Sequence, residues 1–137
     1  VSVTSPDNTR RLDRDRVLSL LYEAEMKSIG IKELLAEFDI APTDFTVETV
    51  TGVHEASDDL DSLIAKYARG WDIDRMARID LLALRVGTWE LINRTDLSTA
   101  IVISEALNLV KKYSTDESGK FANGILSSIA NEVRPSA

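Results

Sequence analysis

The sequence has no cysteine, only three prolines and a single histidine. Without cysteine there is no disulfide, no zinc–thiolate site and no thiol nucleophile, a composition that suits a reducing compartment. Pro6 and Pro135 lie at the two ends, and Pro42 sits in the turn-like stretch "DIAPTD". His54 stands beside Glu55 and near Asp58, and one histidine with acidic neighbours is by itself no metal site. No apolar run reaches the roughly 18 residues of a membrane span. The polar start "VSVTSPDNTRRLDRDR" lacks the apolar core of a signal peptide. The expectation is a soluble, cytoplasmic protein with no membrane contact. Glycine phrases of the P-loop or dinucleotide type are absent, and the serines stand in no order with histidine and carboxylate. No catalytic residue, cofactor or metal is expected.

What the chain does have is leucine, alanine and acid. Its 137 residues carry a formal net charge of −7, which on average repels nucleic acid. The charge is uneven, because residues 1–16 hold four arginines (Arg10, Arg11, Arg14 and Arg16) against three aspartates. Any nucleic-acid contact is therefore expected to be local to that cluster. The length suits one domain, residues 1–137, able to bury about two-thirds of its unfolded surface. Scarce proline and the absence of strand alternation predict an all-α compact bundle of about six or seven helices.

The first helix is expected from Ser5-Pro6 or Asp7 to about Ser28, with Gly30 as its stop and Val17, Leu20, Leu21 and Ala24 as its buried stripe. Arg11, Arg14, Leu18 and Tyr22 line a neighbouring stripe. "IKELLAEF" predicts a short second helix. Thr43 or Asp44 caps a long third helix, which stops near Gly70. The fourth helix, "DRMARIDLLALRVGTWELI", is apolar on nearly every side from Ile79 onward, the mark of a central helix. Asp80, Arg85 and Glu90 interrupt it. Ser98 or Thr99 caps "AIVISEALNLVKKY". In "KYSTDESGKFANGIL", Ser114 and Glu117 have the spacing of a capping box. Phe121, Ala122, Ile125, Leu126 and Ile129 then face the core, and Lys120, Asn123, Gly124 and Ser127 face away.

Several residues admit two readings. The arginine cluster is either a solvated helix start or a contact for single-stranded RNA, to which arginine forks and the Tyr22 ring are suited. Asp80 is either half of an internal ion pair, with Arg85 or another arginine, or a partner contact. Gly124 either lets a helix pack tightly or lets a partner approach. Trp71 and Trp89 read as core or seam residues, while an exposed one would mark an interface.

The stretch "ISEALNLVKKYSTDESGKFANGILSSIA" resembles the NusB transcription antitermination family, in which a phrase like I-N-E-A-hydrophobic-E-L-A-K precedes a short acidic loop and K-F-V-N-G-V-L. "DLLALRVGTWEL" resembles the central helix of that family, and "LYEAE" after an arginine-rich start resembles its first helix. The resemblance implies two packed helical subdomains and no enzymatic activity. It implies a transcription antitermination factor that binds the single-stranded boxA RNA of nascent ribosomal RNA. The implied partners are NusE, a small-subunit ribosomal protein, and the RNA polymerase antitermination complex, in support of rRNA transcription and maturation. By match to the family pattern, Arg10, Arg11, Arg14, Tyr22, Lys120 and Asn123 are implied RNA contacts, and Asp80, Asp116 and Glu117 implied partner contacts. The chain departs from the pattern at Leu12, Asp13, Ser98, Ala100 and Ser104, and Asp13 and Asp15 set negative charge among the arginines. Those departures point to an RNA contact that is weak, highly selective or dependent on the partner. Two rivals stand beside this reading. One is a self-associating or protein-only module, a homodimer using Leu18 beside Arg14. The other is the RNA-binding domain of an rRNA cytosine methyltransferase, which needs a further nucleotide-type fold downstream.

Overall fold

A computed structural model describes residues 6–135. Among them are seven α-helices: α1 (Pro6–Lys27), α2 (Ile31–Ala36), α3 (Asp44–Glu55), α4 (Ser57–Tyr67), α5 (Arg78–Asn93), α6 (Thr99–Tyr113) and α7 (Asp116–Val133), with a single 3-10 turn, Ile73–Arg75, before α5. The expected cap at Ser5 lies outside the described residues. α5 is the centre and packs against α1, α3, α4, α6 and α7. Leu81, Leu82, Ala83, Leu84, Val86 and Leu91 of this helix are all buried, as a helix apolar on every side requires. Burial of one such leucine side chain stabilises the fold by about 1.5–3 kcal/mol. α1, α2 and α3 gather on one side of α5, and α6 and α7 on another.

The expected stripes are in place. Val17, Leu20, Leu21 and Ala24 are buried on α1, and Ala122, Ile125, Leu126 and Ile129 on α7, with Phe121 half-buried. Gly87 explains how closely α5 meets α6 and α7. A Cβ there would lie 3.0 Å from that of Ala106 and 3.1 Å from Leu126 Cδ2.

Four boundaries differ from the sequence expectation. α1 ends at Ser28, which takes a left-handed φ of 53°, so Gly30 is not the stop. The Ser28 amide donates to the Glu25 carbonyl at 3.1 Å and the Ile29 amide to that of Ala24 at 3.0 Å, which together close the helix. Gly30 instead begins α2 in an extended conformation. The long third helix is two helices meeting at Ala56. There the Ser57 hydroxyl donates to the carbonyls of Val53 (3.0 Å) and His54 (2.9 Å), competing with the backbone ladder and bending the chain. α3 is thereby set along α1, and α4 along α7. α5 starts four residues later than expected, because Met76 and Ala77 are extended, with ψ of 142° and 135°. The cap of α7 is Thr115, not Ser114. Its hydroxyl accepts from the Ser118 amide at 3.0 Å, which leaves Glu117 one place short of a capping box. Thr43 and Ser98 cap α3 and α6 as expected.

Candidate nucleic-acid interface

The arginine motif divides by depth. Arg10 and Arg11 have half-exposed side chains, and Arg14 is 3% exposed. The Arg14 guanidinium forks onto the two oxygens of Glu90 at 2.9 and 2.8 Å, in the interior between α1 and α5. Glu90 is 1% exposed, and a carboxylate that deep is stable only when paired. Arg94 approaches the same carboxylate at 3.8 Å. Arg10, Arg14 and Arg94 all lie within 5.3 Å of the Phe45 ring centroid. Burial pushes the Arg94 guanidinium below its ordinary value, against the pull of Glu90. Arg14, expected as an RNA contact, is thus a core residue in the free chain. Leu18 is buried beside it, so neither of the two residues named for self-association is on the surface. The sequence carried a signal for this pair, since Glu90 lies in an otherwise apolar helix and needs a cation.

The two aspartates among the arginines are held by cations of the chain itself. Asp13 is buried and accepts from Arg10 at 3.2 Å. Asp15 accepts from Lys112 at 2.8 Å and from the Tyr113 hydroxyl at 3.3 Å, and the first of these bonds holds the Lys112 amine above its ordinary value.

Arg11 reaches across to α6, where its Nε donates to Glu105 at 3.0 Å. It borders a shallow hollow with Ile101 and Ser104. On the other flank of α6, Lys120 and Asn123 border a hollow of about 320 Å³ with Leu107 and Lys111. The exposed face of α6 therefore lies between the α1 arginines and the α7 stripe. Lys120, Asn123, Gly124 and Ser127 are all exposed. A Cβ at Gly124 would meet nothing within 4 Å, so tight internal packing is not the reason for that glycine. Tyr22 is exposed about 16 Å further along α1, at 1.5 Å per residue from Arg11.

The acidic residues separate in the same way. Asp80 is 6% exposed, and its Oδ2 accepts from the Ser118 hydroxyl at 2.8 Å. Its Oδ1 has no partner among the described residues. Arg85 does not pair with it, but forks onto Asp61 at 2.7 and 2.8 Å and reaches Glu25 at 3.4 Å. Asp80 sits in the first turn of α5 and against the first turn of α7, so two positive helix ends share its charge. Both earlier readings of Asp80 need correcting. It forms no ion pair among the described residues, and burial keeps it off the surface a partner would meet. Asp116 and Glu117 are exposed in the first turn of α7. His54 is exposed on α3. Trp89 is partly buried over Gly52, where no Cβ could fit beneath its ring. Trp71 is not a core residue, since it is 60% exposed.

The family model described as "NusB family" matches residues 11–131. The transcription antitermination protein NusB of Pseudarthrobacter chlorophenolicus is 36% identical over 127 residues, covering 90% of this chain and 93% of that protein. Among solved structures, NusB of T. maritima aligns with a TM-score of 0.80 at 31% identity, over 97% of this chain and 96% of the other. A chain from a crystal structure of the antitermination factors NusB and NusE in complex with dsRNA aligns with a TM-score of 0.75 at 30% identity, over 90% of this chain and 96% of the other.

Proposed function

The chain belongs to the NusB family, and from that we propose that it is a non-enzymatic, cytoplasmic transcription antitermination factor. It holds the boxA RNA of nascent ribosomal RNA jointly with the NusE ribosomal protein, within an RNA polymerase antitermination complex. The observation that carries this reading is the placement of exposed cations on both helices that border the open face of α6, Arg11 on α1 and Lys120 on α7. Guanidinium and ammonium groups bind phosphates, and Asn123 and Tyr22 add an amide and a ring for bases. Arg14 supports from beneath by fixing α1 on α5. Asp116 and Glu117, at the exposed start of α7, are the acidic groups offered to a basic partner, and the net charge of −7 speeds and orients that docking.

The test is an electrophoretic mobility shift with boxA-type and scrambled RNA, with and without NusE, at one fixed salt concentration. A boxA-selective shift strengthened by NusE is expected. Arg11→Glu with Lys120→Glu should weaken it at least tenfold while the melting temperature holds. Equal retention by wild type and variant would remove both residues from the site.

A further inference from the structure

Trp71 is exposed, yet its position is built. α4 ends at Tyr67, and the Trp71 amide closes a turn on the Ala68 carbonyl at 3.0 Å. Gly70 sits inside that turn at φ 77°, a left-handed value that other residues adopt only at a cost. The indole leans on the half-buried Phe121 ring of α7, with centroids 4.7 Å apart and planes tilted by 48°. Beside the two rings lies an open hollow of about 470 Å³ bordered by Arg69, Lys120, Tyr67 and Gly124. Two cations line it and no carboxylate does. Neither Arg69 nor Lys120 enters an ion pair among the described residues. Asp72, next along the chain, spends an oxygen on the Asp74 amide at 2.9 Å.

A single exposed apolar residue is ordinary on any surface. Here the exposed ring has a second ring behind it, two uncommitted cations beside it and a glycine that leaves the hollow open. Lys120 also belongs to the α7 stripe, so this hollow continues the RNA face described above. We propose that Trp71, backed by Phe121 and flanked by Arg69 and Lys120, is a stacking platform for an unpaired base of single-stranded RNA. The base lies on the indole, and the phosphates on either side meet the two cations. A basic protein partner would be repelled by Arg69 and Lys120, which favours RNA as the occupant. This inference rests on the RNA-binding reading of the chain.

The test uses the full chain with NusE and a boxA-type single-stranded RNA, with the same RNA annealed to its complement as control. In a Trp89→Phe background Trp71 is the only tryptophan, and its emission should be quenched by the single strand and not by the duplex. Trp71→Ala should weaken single-strand binding roughly tenfold, Trp71→Phe should restore most of it, and both should melt as wild type. If emission and affinity are unmoved while the Arg11→Glu and Lys120→Glu variant still binds poorly, the platform falls and the RNA-binding reading stands. If wild type binds no RNA, both fall. Loss of NusE binding with unchanged RNA affinity would make Trp71 a protein anchor and overturn the proposal.

Discussion

Glu90 and Arg14 show how much one buried pair changes the meaning of its neighbours. Arg10, Arg11 and Arg14 sit within five positions of one another, yet only Arg14 turns inward. Arg14→Ala would leave the Glu90 carboxylate buried with only Arg94 at 3.8 Å, and it should destabilise the fold by about 3–5 kcal/mol. Arg11→Ala removes a surface contact to Glu105 and should change stability by less than about 1 kcal/mol. Urea denaturation of the two variants measures both, and equal midpoints would contradict the buried pair. For the same reason, a double change of Arg11 and Arg14 to glutamate is a poor probe of RNA binding. It sets a second carboxylate beside Glu90, so lost binding would report lost folding.

Among the elements, the start of α7 joins packing to function. Thr115 caps the helix, its hydroxyl also lies 3.0 Å from that of Ser118, and Ser118 in turn donates to Asp80 of α5. One cap therefore supports a helix end, holds the serine that donates to one oxygen of a buried carboxylate and sets the first turn from which Lys120 and Asn123 follow. Thr115→Ala should cost about 1 kcal/mol, measured by thermal melting. Glu117→Gln should cost less than half of that, because Glu117 closes no capping box. A larger loss from Glu117→Gln would restore the box that the sequence spacing suggested. The break at Ala56 matters at the same scale. Had α3 and α4 run on as one rod, α4 could not have turned to lie along α7 and carry the Trp71 turn to Phe121.

At the scale of the whole molecule, an acidic body presents a few cations on one side. Phosphate contacts on a single strand reduce log K by about 0.7 per contact for each tenfold rise in salt. With Arg10, Arg11, Arg69 and Lys120 engaged, the plot of log K against log salt should fall with a slope of roughly −3. Filter binding across a salt series gives that slope, and Arg69→Ala should make it shallower by about 0.7. A slope near zero would mean that the RNA is not held through phosphates. Steep salt dependence in a chain of net charge −7 would show that local placement outweighs the overall charge.

The sequence by itself determined the class of fold, the central helix and the buried stripes of α1 and α7, and it narrowed two caps to Thr43 or Asp44 and to Ser98 or Thr99. Those features depend on 3.6-residue periodicity and on hydrogen bonds that close within four residues, so neighbouring letters suffice. The exposed stripe of Lys120, Asn123 and Gly124 was legible for the same reason. The tertiary structure alone decided which arginine is buried, because Arg14 meets a carboxylate 76 residues away. It also decided that Asp80 accepts from Ser118, 38 residues on, and that Trp71 is exposed against Phe121. Such outcomes depend on which helices meet and at what angle. No local spacing encodes that, and it is set when the buried faces of the helices are packed together, with α1, α3, α4, α6 and α7 directly on α5.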